Sequence, residues 1–91
     1  MPNYEMIPKH CRNGMKRYIE WGVIPGDFLQ AVISNNLKES FERADDINIE
    51  RLFDYVNFLY NEAPLACWGS KETMIAWHKK KGESICVITY T

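Results

Sequence analysis

Residues 61–70 read Asn-Glu-Ala-Pro-Leu-Ala-Cys-Trp-Gly-Ser, with one amphipathic helical pattern running up to them and another running away. The proline ends the first pattern and the serine starts the second, so the chain must turn here. A plain connector between helices is polar, whereas this one carries a cysteine and a tryptophan. The stretch therefore either plugs a small core or walls a binding site.

Upstream, three apolar patterns with helical spacing are separated by breakers. Ile7-Pro8 opens the first, because proline is tolerated in a first turn. Cys11, Met15, Tyr18 and Ile19 share one face, and Gly22 suits the position just past the helix end. Gly14 inside this helix allows a close approach by another helix or a ligand. Pro25-Gly26 is turn chemistry. Phe28, Leu29, Val32 and Ile33 form the next face, Ser34-Asn35-Asn36 breaks it, and Leu37 and Phe41 resume it. Asp45 to Asn48 connects to the cleanest pattern, Ile49, Leu52, Phe53, Val56, Leu59 and Tyr60, with Asp46 or Asn48 as its cap and burial predicted for Leu52, Phe53, Val56 and Leu59. Tyr55 and Phe58 lie off that face, so the helix is broadly apolar and central.

Ser70 caps a last helix whose inner side is Met74, Ile75, Trp77 and His78. Lys79 to Lys81 suit its final turn and Gly82 its stop. Residues 84–91, Ser-Ile-Cys-Val-Ile-Thr-Tyr-Thr, are β-branched and aromatic and read as a strand. A lone strand needs a partner, either Asn3 to Met6 or the tail of a second copy in a homodimer. The expected architecture is all-α, a compact bundle of four to five short helices with a C-terminal β-strand tail. Residues 1–91 form one domain, with a core from 7 to 82 and a strand-like tail from 83 to 91.

With 91 residues there is room for one core. A net charge of −1 lacks the basic excess of a general duplex-DNA binder. Local basic clusters remain at Lys9, Arg12, Lys16 and Arg17 and at Lys79 to Lys81. Three widely spaced cysteines, Cys11, Cys67 and Cys86, suggest free thiols in a reducing cytoplasm. There is no apolar run long enough to span a membrane and no secretory pattern. No metal-ligand spacing joins His10, Cys11, Cys67, His78 and Cys86, and no cofactor motif is present. A Cys67–His78 nucleophilic pair is conceivable, but the sequence names no group to orient the histidine. Binding is expected rather than catalysis.

The sharpest candidate site is the start of the last helix. Gly69 lets an anion approach the backbone, the helix N-terminus offers N–H groups, and Ser70 and Lys71 add donors. Trp68 could stack on a base. Arg12 and Arg17 from the first helix and Asn61 would complete a pocket for a phosphate-bearing, nucleotide-type small molecule, or a contact surface for a host protein. A serine cap, an exposed lysine and a core tryptophan explain the same residues without a ligand.

Several motifs in combination, Ile-Pro-Lys-His (residues 7–10), Tyr-Ile-Glu-Trp-Gly (18–22), Pro-Gly-Asp-Phe-Leu-Gln-Ala-Val (25–32), Ser-Asn-Asn-Leu, Arg-Ala-Asp and Tyr-Asn-Glu-Ala-Pro-Leu-Ala-Cys-Trp-Gly-Ser (60–70), resemble a family of short accessory proteins encoded by phages and prophages. The likeness covers residues 7–77. It implies a viral origin and action in the host cytoplasm. Small phage accessory proteins often block host defence, by sequestering a nucleotide signal or by binding a host defence protein. A protein–protein module of phage replication or regulation is the alternative.

Overall fold

A computed structural model describes residues 2–90, with the backbone alone for residues 83–90. Pro8 stands at the N-cap of helix α1 (Lys9–Trp21), and Gly22 ends that helix at φ 71°. The Gly22 and Val23 amides turn back to the Tyr18 and Arg17 carbonyls, the pair of bonds that closes a helix on a left-handed glycine. Helix α2 (Asp27–Ile33) starts after Gly26. The Ser-Asn-Asn break separates it from α3 (Leu37–Arg43): Asn35 takes the left-handed conformation at φ 60°, and Asn36 Oδ1 accepts from the Glu39 amide to cap the new helix.

The segment expected as one helix from Ile49 is two. A short α4 (Asp46–Glu50) is capped by Asp45, which accepts from the Asn48 amide at 2.8 Å; the cap is neither Asp46 nor Asn48. The chain bends at Arg51 before α5 (Leu52–Glu62). A 3₁₀ turn (Leu65–Cys67) then leads to α6 (Lys71–Tyr90).

That last helix corrects the expectation of a strand tail. It runs through Gly82 to Tyr90, and the described residues contain six α-helices and no strand. A strand without a partner leaves its N–H and C=O groups unpaired, whereas a helix pairs them within itself. The strand edges invoked for a tail-to-tail dimer are therefore absent through Tyr90, and Thr91 lies outside the described residues. Asn3 to Met6 pairs with no strand either. Tyr4–Met6 is a 3₁₀ turn, held by the Asn3 amide on Glu62 Oε1 and by Arg51 on the Met6 carbonyl.

The core joins Met15, Tyr18 and Ile19 of α1, Leu29, Val32 and Ile33 of α2, and Met74 and Trp77 of α6, as expected. From α5 it takes Leu59, as expected, but with it Tyr55 and Phe58. Phe53 and Val56, predicted inside, face solvent, as do Ile49 and Tyr60 of the same pattern, Leu37 and Phe41 of α3 and Ile75 of α6. The helix carries two apolar stripes, and of the one with the unbroken spacing Leu59 is buried and Leu52 half-buried while Phe53, Val56 and Tyr60 stand outside.

Residues 61–70 close the core. Cys67 is fully buried and its carbonyl accepts from the Tyr18 hydroxyl at 2.6 Å, while the Gly69 amide donates to the Ile33 carbonyl at 2.8 Å. Trp77 Nε1 reaches the Tyr18 and Ile19 carbonyls at 3.1 and 3.2 Å, locking α6 to α1.

The α1–α6 contact is also close at Gly22, where an added Cβ would stand 2.5 Å from Lys81 Cβ. Gly22→Ala is expected to cost at least about 1–2 kcal/mol, the penalty of a left-handed L-residue, and the contact with Lys81 adds to it. Urea denaturation measures this, and an unchanged midpoint would contradict the packing described.

Candidate functional site

The seven residues proposed from sequence do not meet at one place. Arg12 turns back on the N-terminal lead, with Nε on the Ile7 carbonyl at 3.0 Å and Nη2 on the Glu5 carbonyl at 3.2 Å. Asn61 is exposed on α5 and bonds Asn57. Trp68 is half-buried against the core, its ring edge-on to Tyr60 with centroids 6.2 Å apart. The Gly69 amide is taken by Ile33, and Ser70 Oγ accepts from the Thr73 amide at 3.1 Å as the α6 cap. These bonds leave the α6 N-terminus with fewer free donors than the sequence suggests.

Lys71 lines a cleft of about 300 Å³ with Asp27, Gln30, Glu39 and Arg43. Arg17 stands in a different and larger cleft of about 670 Å³. The Arg43–Asp27 ion pair, 3.2 Å long, belongs to both walls and divides them.

The larger cleft lies between α1 and the turn leading into α2. One side is α1, from His10 and Asn13 through Gly14 to Arg17; the other is Ile24, Pro25, Gly26 and Phe28; Asp45 and Asn48 close an end. Gly14 brings these walls near each other, since a Cβ there would stand 3.2 Å from Leu29 Cδ1. The close approach anticipated at this glycine is made by α2. Phe28 is fixed edge-on against Tyr55, with centroids 5.1 Å apart.

The charges in this cleft do not all cancel. Asp27 is paired with Arg43, and Asp45 with His10 at 3.0 Å. The Asn48 amide, and then His10, hold the Asp45 carboxyl below the usual carboxylate range. The Arg17 guanidinium has no hydrogen-bond or ion-pair partner among the described residues. It is the cation left over. Asn48 is committed elsewhere, its Oδ1 accepting from the Tyr55 hydroxyl at 2.6 Å, while Asn13 is exposed at the wall with its amide available.

Cys67 and His78 are not bonded to each other among the described residues. Burial pushes the Cys67 thiol up to about 11. His78 Nδ1 lies 2.6 Å from the Gly22 carbonyl, which only accepts, so Nδ1 carries the hydrogen. Cys11 and Cys67 are free thiols; the Cys86 side chain lies outside the described residues. In folded protein near neutral pH, a thiol reagent is expected to label Cys11 well before Cys67. Peptide mass mapping checks the order, and early labelling of Cys67 would contradict its burial.

No group of three metal-capable side chains gathers among the described residues, and no helix there is long and apolar enough to cross a membrane. Comparison with protein-family models, curated proteins and solved structures finds no match.

Of the residues lining this cleft, Arg17 and Gly14 stand out in the sequence, whereas Phe28, Pro25 and Asn13 do not. Helical periodicity assigns Phe28 to the core, and the Pro-Gly turn serves as punctuation until the fold sets it opposite α1. Arg43 and Asp45 reach the cleft only through tertiary packing.

Proposed function

We propose that this is a phage-encoded binding protein that sequesters a phosphate-bearing, nucleotide-type small molecule in the α1–α2 cleft and thereby blunts a host defence signal. The observation that carries the reading is the unpaired Arg17 guanidinium facing an apolar wall of Ile24, Pro25 and Phe28. A guanidinium grips phosphate through two parallel N–H donors, an aromatic wall suits a base, and the Asn13 amide offers both donor and acceptor to a base edge. A volume of about 670 Å³ is within the usual range for small-ligand sites. The phage origin and anti-defence role rest on the sequence resemblance. Binding without turnover is part of the proposal.

A thermal-shift screen against linear and cyclic nucleotides tests it. A ligand at a hundred times its Kd adds about 2.7 kcal/mol, which raises the Tm of a domain this size by roughly 10 °C or more. No shift with any phosphate-bearing compound, or an equal shift in Arg17→Ala, contradicts the proposal.

A further inference from the structure

Opposite the core, α5 and α3 present large apolar side chains to solvent. Phe53 is 76% exposed and Tyr60 78%, with Val56 on the same α5 stripe; Leu37 is 76% exposed, with Phe41 one turn further along α3. Leu37 and Val56 line one dimple with Leu52, so the two helices form one continuous face. Counting about 200 Å² for a fully exposed aromatic ring and less for the others, the face offers on the order of 600 Å² of apolar surface. That is at the top of what a monomer ordinarily shows in a single patch.

We propose that this face binds a second copy of the chain in a two-fold dimer. A stable interface covers about 800 Å² per partner, so the apolar face plus a narrow polar rim supplies the area. The dimple, about 60 Å³, is far below small-ligand size but admits the end of one side chain. Phe53 projects from the same face. A knob and a hole on one surface are the elements of an isologous contact, each copy's Phe53 entering the other's dimple. Lys38 and Glu42 form an ion pair at 3.0 Å on α3. Two α3 helices crossing antiparallel set each Lys38 against the second copy's Glu42, so like charges do not meet.

Analytical ultracentrifugation of the full chain across the micromolar range tests this. The wild type is expected to sediment as a dimer at the upper end. Phe53→Asp and Tyr60→Lys are each expected to raise the dissociation constant roughly a hundredfold while keeping a folded circular-dichroism spectrum, since both positions face solvent. Trp21→Lys, an exposed apolar residue at the end of α1 outside the face, is expected to leave the dimer intact. A wild-type monomer throughout overturns the proposal, including one that captures a different protein through this face. A dimer that survives both face variants overturns it as well.

Discussion

Phe58→Ala is expected to lose about 3–5 kcal/mol of stability, the usual cost of emptying a large buried aromatic site. Phe58 is fully buried and its ring lies 5.5 Å from that of Tyr4, so its loss opens a cavity under the N-terminal turn as well as within the bundle. Small domains lie at the low end of the usual 5–15 kcal/mol, so a variant with much of its population unfolded is expected. Phe53→Ala, the same change on the opposite side of α5, is expected to cost well under about 1 kcal/mol to the monomer fold. Chemical denaturation of both variants, each in a monomeric background such as Tyr60→Lys, reads the contrast directly. Equal losses, or a larger loss at Phe53, would mean that the other side of α5 faces the core.

That contrast marks where the sequence was legible and where it was not. The α1 and α2 faces could be read because each helix carries one apolar stripe between clear stops, Pro8 and Gly22 for α1, Gly26 and Asn35-Asn36 for α2. Helix α5 carries two stripes, and periodicity ranks them by regularity rather than by what lies across from them. The regular one, Ile49 to Tyr60, spans the bend at Arg51, which no proline or glycine announces. In the tail, β-branched composition favoured a strand, but strand propensity has force only where a neighbouring strand exists. Cys67 shows the opposite case. The unusual loop reads as a core plug or a site wall, and the structure puts Cys67 into the core while leaving Trp68 at its margin.

Arg17→Glu is expected to weaken binding of a phosphate-bearing ligand at least about a hundredfold. A hydrogen bond to a charged group contributes about 1.5–3 kcal/mol, and the substitution removes that donor set and sets a carboxylate against the phosphate. The remaining charges cannot compensate, since Arg43 is held by Asp27 and His10 by Asp45. The Arg17 side chain is exposed and makes no bond that the fold needs, and its carbonyl bond to the Val23 amide is kept in the variant, so the melting temperature without ligand should change little. Isothermal titration against the nucleotide with the largest thermal shift measures the effect. Unchanged affinity would remove Arg17 from the site.

The site was only partly legible for a related reason. From sequence Arg17 is a first-helix cation that supplies the second side of an anion site at Trp68 to Lys71, because helix N-termini and glycines are the features of anion sites visible in one dimension. The cleft that holds it is made by two segments that each look structural alone, the Gly14 face of α1 and the Ile-Pro-Gly turn before α2. The Arg43–Asp27 pair that separates Arg17 from Lys71 joins α3 to α2, and charge composition gives no sign of that partition.

Amide chemical-shift mapping with the same nucleotide reports directly where a ligand sits. The largest changes are expected on Asn13, Gly14, Arg17, Gly26 and Phe28, with little change at Gly69, Ser70 and Lys71. Largest changes at Gly69 to Lys71, with the α1–α2 cleft unmoved, would contradict this and return the site to the start of α6.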